Sequence, residues 1–372
     1  AKYHMTERAR ECVNDAMDIH GGKGICLGPN NWLGRGYQIA PVAITVEGAN
    51  ILTRTLIIFG QGAIRCHPYV LREMRAAKEM TDAEASREFD DAFTSHIGHV
   101  LRNGVRTFVY GLTRAMFAPV PKNCAPETRH YYRNASRLSA AFAFLADLSM
   151  LAMGGALKRK EKISGRLGDV LSMLYLVSAT LKRYEDQGRI REDLPLVRWA
   201  VRDALYNAQQ AIDGILSNFP VKPLARFLRW AIFPMGMALR PPLDSRNHEC
   251  AKIALAPGAA RDRLTAGMFV PKSEADATGQ LEAAFLATVA CEPVDEKLRK
   301  AVKKGKIIPR PGIEIGMIGK ENGIITADEY ALWNRKEALR KGVIKVDDFP
   351  PDFGRAEMAA GREQGSVQMK AA

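Results

Sequence analysis

What the 372-residue chain lacks narrows it first. No two of its six cysteines are spaced as CxxC or stand beside a histidine pair that could complete a zinc site, so they read as reduced, structural thiols. No segment reaches the roughly 18 uncharged apolar residues of a spanning helix, and no secretory signal is recognisable. A cytoplasmic protein is expected. The period-two alternation of strands is scarce, and no repeat period is visible. A P-loop and the known nucleic-acid-reading motifs are also missing, so nucleic acid is not an expected partner.

What is present suits a folded, mainly helical protein. Hydrophobic residues make up 47% and charged residues 26%, and the length allows two ordinary domains. The formal net charge of +13 favours anionic partners such as nucleotides, coenzyme A or an acidic lipid surface. Thr6 to Met17 already has helical spacing, with Ala9, Cys12, Val13, Ala16 and Met17 on one face, and the chain opens on Ala1. Residues upstream of Ala1 are expected.

Periodicity predicts an all-α fold. The first helix ends at the glycine cluster Gly21, Gly22, Gly24. A Gly-, Pro- and Asn-rich loop and an apolar stretch from Tyr37 to Val46 lead to Glu47-Gly48-Ala49-Asn50, where Asn50 is expected to cap a helix from Ile51 to about Phe59. Thr81 and Glu84 form a capping box ahead of a long helix bearing Phe89, Phe93, Ile97, Val100 and Leu101, which marks a new domain. Helices are expected near 127–157, 163–187, 192–217, 223–232, 280–291 and 327–341. The expected division is 1–78, then a helical domain over 79–360, then a polar, frayed tail over 361–372. Ser139 to Leu157 is apolar enough to resemble a membrane span, but Asp147 in its middle is costly in lipid and acceptable in a bundle core, so a buried helix is expected.

Two motifs stand out for chemistry. Asp18-Ile19-His20-Gly21-Gly22-Lys23-Gly24, followed by Arg35, precedes Glu47-Gly48-Ala49-Asn50-Ile51 with Arg54, all within one short helical segment. Over residues 1 to about 77 this order resembles the C-terminal helical bundle of the acyl-CoA dehydrogenases, where an aromatic residue and a Gly-Gly-x-Gly turn precede an aromatic-Glu-Gly-Thr signature. Arg261-Asp-Arg-Leu-Thr-Ala-Gly267 and Val346-Asp347-Asp348-Phe349 resemble the extra C-terminal domain of the FadE type. Asp18 stands where the family has glutamine, Ala49 where it has threonine, and Gly36 where it has aspartate.

The resemblance implies an FAD-dependent enzyme of fatty-acid β-oxidation that converts medium- or long-chain acyl-CoA to trans-2-enoyl-CoA. It implies that Glu47 is the base, that Glu47 and Gly48 hold the thioester, that Asp18, Ile19, His20, Gly21 and Gly22 contact the FAD of a neighbouring subunit, and that Ala49, Asn50 and Ile51 lie along its pyrophosphate. A carboxylate among Ile44, Val46 and Ile51 suits proton abstraction, because apolar enclosure strengthens it as a base. Electron-transfer flavoprotein and a homo-oligomer are the implied partners. By itself this chain is not expected to turn over substrate. The histidines, including His67, His96, His99 and His130, read as core or surface residues, and no metal site is expected.

Lys222-Pro223-Leu224-Ala225-Arg226-Phe227-Leu228-Arg229-Trp230 alternates cations with large apolar residues, extended by Ile232 and Phe233. Peripheral contact of 222–233 with the inner membrane is one reading, and a surface helix packed on its own domain is the plainer one. The rival function is a non-catalytic helical scaffold that binds a membrane or an acidic partner through its positive charge.

Overall fold

The computed structural model describes residues 1–46, 48–79 and 82–349, and every regular element among them is helical. The all-α expectation is met. Glu47, the Thr81 end of the expected capping box and the tail 361–372 lie outside the described residues. The main helices are α1 (Lys2–His20), α2 (Val70–Glu79), α3 (Asp82–Leu112), α4 (Arg129–Met153), α5 (Glu161–Asp186), α6 (Leu194–Ser217), α7 (Lys222–Ile232), α8 (Asp244–Ala254), α9 (Ala277–Lys303) and α10 (Ala327–Ile344). They fall into two compact units: Ala1–Thr6 with Ile44–Ala266, and Glu7–Ala43 with the chain from Gly267 onward.

The first unit is a bundle organised around α5 and α6. On α5, Ile163, Leu167, Val170, Leu174, Val177, Leu181 and Tyr184 recur at alternating spacings of four and three, and all are buried. On α6, Leu194, Val197, Val201, Leu205, Ala208, Ile212 and Ile215 recur at mixed spacings of three and four and are buried too. The two helices pack on each other along these seams, and each fully buried Leu, Ile or Val stabilises by about 1.5–3 kcal/mol. α4 adds Leu138, Ala141, Phe144 and Leu145 to the same core. Its stretch Pro126–Arg159 is long and apolar enough to cross a membrane by composition, yet it packs within the bundle with Asp147 buried, as the sequence reading expects. Buried Gln209 on α6 bonds both the N–H and the carbonyl of Leu239 at 3.1 Å, tying the chain after α7 to the core.

The second unit has its own core of Cys291, Val294 and Leu298 on α9, Ile318 on a short helix, Ile325, and Trp333 on α10. Asp276 caps α9 by accepting from the N–H groups of Thr278 and Gly279 at 2.8 and 3.1 Å. Thr326 and Glu329 form a capping box on α10. Helix α9 runs on through Pro293 to Lys303, well past the expected end near Cys291. Proline removes one helical donor, but Val294, Leu298 and Ala301 beyond it are buried and hold the helix together.

Candidate active site

The expected active-site segments belong to different units and are described separately. In the first unit, Ile44 and Thr45 close a short helical turn, where the sequence suggests only an apolar stretch, and Gly48 turns the chain at φ 92°, a left-handed conformation that favours glycine. Lys2 fixes this turn from α1. Its ammonium donates to the carbonyl of Gly48 at 2.5 Å and to Oδ1 of Asn50 at 3.2 Å.

Asn50 does not cap the helix as expected. Ala49 occupies the cap position, while Asn50 is the first helical residue, 2% exposed, with its Nδ2 donating to Oγ1 of Thr6 at 2.7 Å. The amide side chain is thus committed to anchoring α1, and what Asn50 offers toward the outside is backbone. Ala49 is exposed, and Ile51 is 75% exposed.

The chain then forms a π-helix, Thr53–Gln61, seated on α5. Arg54 makes a fork-on-fork pair with Asp169, Nε to Oδ1 at 2.7 Å and Nη2 to Oδ2 at 2.5 Å. This pairing holds the guanidinium pKa above its ordinary value against the opposing effect of burial. The hydroxyl of Ser164 donates to the carbonyl of Thr55 at 2.6 Å. Gly168 lets the backbones touch, since a Cβ there would lie 2.9 Å from the carbonyl oxygen of Arg54.

In the second unit, α1 ends in the glycine turn. Asp18 is exposed, Ile19 is 86% exposed, and Nδ1 of His20 lies 2.8 Å from the carbonyl of Ala16, with the ring edge-on to Trp32. Gly21 has φ 54°, and a Cβ placed on Gly21 or Gly22 would meet nothing within 4 Å. Their backbone is open to close approach by a large planar or phosphate-bearing group. Lys23 turns the other way. It is buried, donates to the carbonyl of Val343, and has its pKa lowered by burial, with Asp347 opposing. Its ammonium is thus committed to the Val343 and Asp347 side of the turn.

Asp347 closes this loop by accepting from the N–H groups of Gly28 and Asn30 at 3.1 and 2.8 Å. Beside it lies an open cleft of about 620 Å³ lined by Leu27, Asn31, Trp32, Arg35, Gln38 and Phe349.

A further cluster in the first unit was not foreseen. Nε2 of His67 lies 2.9 Å from Oδ1 of buried Asp147, and His96 sits 2.8 Å from Glu73 through Nδ1 and 3.7 Å from Asp147 through Nε2. Three ligand-type side chains come within metal-bridging distance here. However, Nδ1 of His67 accepts the backbone N–H groups of Tyr69 and Val70, so the ring proton is on Nε2, facing Asp147. That nitrogen has no lone pair for a cation, and the cluster is a polar tie between α2, α3 and α4. Asp147, conspicuous within an apolar helix, was the one sequence signal that could have revealed it.

The family model "Acyl-CoA dehydrogenase, C-terminal domain" matches residues 1–60, and "Acyl-CoA dehydrogenase, C-terminal, bacterial type" matches residues 64–349. The chain belongs to the acyl-CoA dehydrogenase family. No solved structure matches it. Acyl-CoA dehydrogenases are oxidoreductases that use FAD. In this acyl-CoA dehydrogenase chain, the Arg54–Asp169 pair joins the segment matched by the first model to the domain matched by the second. Within its own unit the Gly21–Gly22 turn leaves backbone open to close approach by a phosphate-bearing group, and in the other unit Ala49 and Ile51 are exposed.

Proposed function

We propose that the chain is the C-terminal part of an FAD-dependent acyl-CoA dehydrogenase of fatty-acid β-oxidation, acting on medium- or long-chain acyl-CoA. The carboxylate of Glu47 takes the α-proton of the thioester. Gly48 leaves room for the thioester carbonyl to approach the backbone, where N–H donation stabilises the charge that develops on oxygen. FAD, when bound, supplies the acceptor for the β-hydride, and the product is a trans-2-enoyl-CoA. Ala49, Asn50 and Ile51 contribute backbone along the pyrophosphate, and Asp18, Ile19, His20, Gly21 and Gly22 serve the cofactor of a second subunit in a homo-oligomer. Electrons leave to an electron-transfer flavoprotein, and the enzyme works on the cytoplasmic side. We assign 1–78 to the end of the catalytic bundle and 79–360 to the FadE-type domain.

One observation carries most of this reading: the turn at Gly48, beside the proposed base, is pinned by Lys2 through two acceptors, as a residue that must be held in place requires. Glu47→Gln in the full-length protein should abolish acyl-CoA-dependent bleaching of the flavin while FAD stays bound. Undiminished bleaching would remove Glu47 from the role.

A further inference from the structure

Helix α3 has a buried face and, roughly opposite it, an exposed apolar one. Ala92, Asn103, Thr107 and Gly111 lie on the buried one. On the other, Ile97, Leu101, Val105, Val109 and Leu112 recur at helical spacing and are all exposed. Met116 and Phe117, just beyond the helix, continue the exposed apolar run. Helix α7 packs beside α3, with the Phe108 and Trp230 rings 4.6 Å apart and Gly111 against Pro234. Through that contact the exposed Phe227 and Trp230 are added to the same outer surface.

The two stretches of chain that carry this surface have charged residues of one sign. From Ala92 to Pro126 the chain has Arg102, Arg106, Arg114 and Lys122 and no acidic residue. From Gly214 to Leu243 it has Lys222, Arg226, Arg229 and Arg240, again with no acidic residue. Arg229 is paired with Asp213, whereas Lys222 and Arg226 are exposed at the edge of the apolar side chains. A protein partner could match either property, but apolar side chains ringed by long cationic ones, with Trp and Phe among them, match the interface of an acidic bilayer. There the rings enter the headgroup boundary while the arginines reach the phosphates.

We propose that the outer face of α3, together with Phe117, Phe227 and Trp230, docks on an anionic membrane surface. The contact considered for 222–233 alone becomes part of a wider face whose main element is α3. This docking does not depend on the assignment of Glu47.

The test is co-sedimentation of the full-length protein with phosphatidylglycerol-containing vesicles and with pure phosphatidylcholine vesicles. Binding should require the acidic lipid. Arg102→Gln with Arg226→Gln should weaken it roughly 25-fold, about fivefold for each charge removed. Leu101→Asp with Phe117→Asp should abolish it, and circular dichroism should show an unchanged melting curve because both positions are exposed. Three results would each overturn the proposal: no binding by the native protein, equal binding to neutral vesicles, or full binding by the Leu101→Asp, Phe117→Asp protein. The last, accompanied by dissociation of an oligomer, would assign the face to a second copy of the chain.

Discussion

Lys336 on α10 is a buried ammonium whose Nζ lies 2.7 and 2.9 Å from the two oxygens of Asp295 and 3.1 Å from Glu337. Burial pulls its pKa down, and the hydrogen bonds to Asp295 and Glu337 more than restore it, leaving it raised. Glu337 is the mirror image. Burial pushes its carboxyl up, but Arg340 and Lys336 together hold it below the ordinary value. A carboxylate with a depressed folded pKa contributes stability that is complete above its unfolded pKa, about 4.3, and is lost as the pH falls through the folded value. Lys336, with a raised pKa, loses its contribution only at strongly alkaline pH. Glu337→Gln should therefore lower the stability of the second unit near pH 7 and flatten its loss below about pH 4.3. Urea titrations followed by the indole N–H resonance of Trp333 would check this, and an unaltered acid profile would contradict it. Polar contacts of the second unit were legible in the sequence only where they are local. The capping residues Thr326 and Glu329 can be read three apart, whereas Asp295 and Lys336 are separated by 41 positions and only folding joins them.

At the level of elements, periodicity was informative wherever one face is buried against one neighbour. The recurrence at spacings of three and four on α5 and α6 marks both helices correctly, as do the expectations for α4, α7 and α10. It misled where local chemistry and packing disagree. Asn50 has a capping residue's side chain, but Lys2 and Thr6 compete for it and win. Likewise, nothing in Thr53–Gln61 announces a π-helix, whose wider turn is held from outside by Asp169, Ser164 and the bare backbone at Gly168. This seat follows directly on the segment that carries the proposed base. A methyl group at Gly168 must push on a backbone carbonyl that cannot rotate away, so Gly168→Ala should destabilise by about 1–3 kcal/mol. In the full-length enzyme, Asp169→Asn should lower kcat with little change in KM or FAD content, since it loosens Arg54 without touching substrate. If KM rises and kcat holds, the seat does not position the catalytic turn.

For the molecule as a whole, the two packing units interleave along the sequence, because Glu7–Ala43 groups with the chain from Gly267 onward. A division into consecutive segments cannot express such a grouping, however well each helix is read. The distribution of apolar surface is equally informative. Ile19, Ile25, Leu27 and Ile39 are exposed in one unit, and Val46, Ile51 and Leu52 in the other, all within the segment matched by the general acyl-CoA dehydrogenase C-terminal domain. Taken unit by unit, apolar side chains left exposed so close together suit contact with a partner. If the proposed homo-oligomer and its cofactor cover them, amide hydrogen exchange over residues 19–27 and 48–52 should be slower in the FAD-loaded full-length enzyme than in the 372-residue chain alone. Ile19→Ser with Ile51→Ser should then reduce both FAD retention and subunit association, because each isoleucine would leave a buried site, while the melting of the isolated chain, where both are exposed, should hardly change. Equal exchange in the two forms would mean that these side chains remain solvated in the working enzyme, and the assignment of Asp18–Gly22 to a neighbouring subunit's cofactor would fail with them.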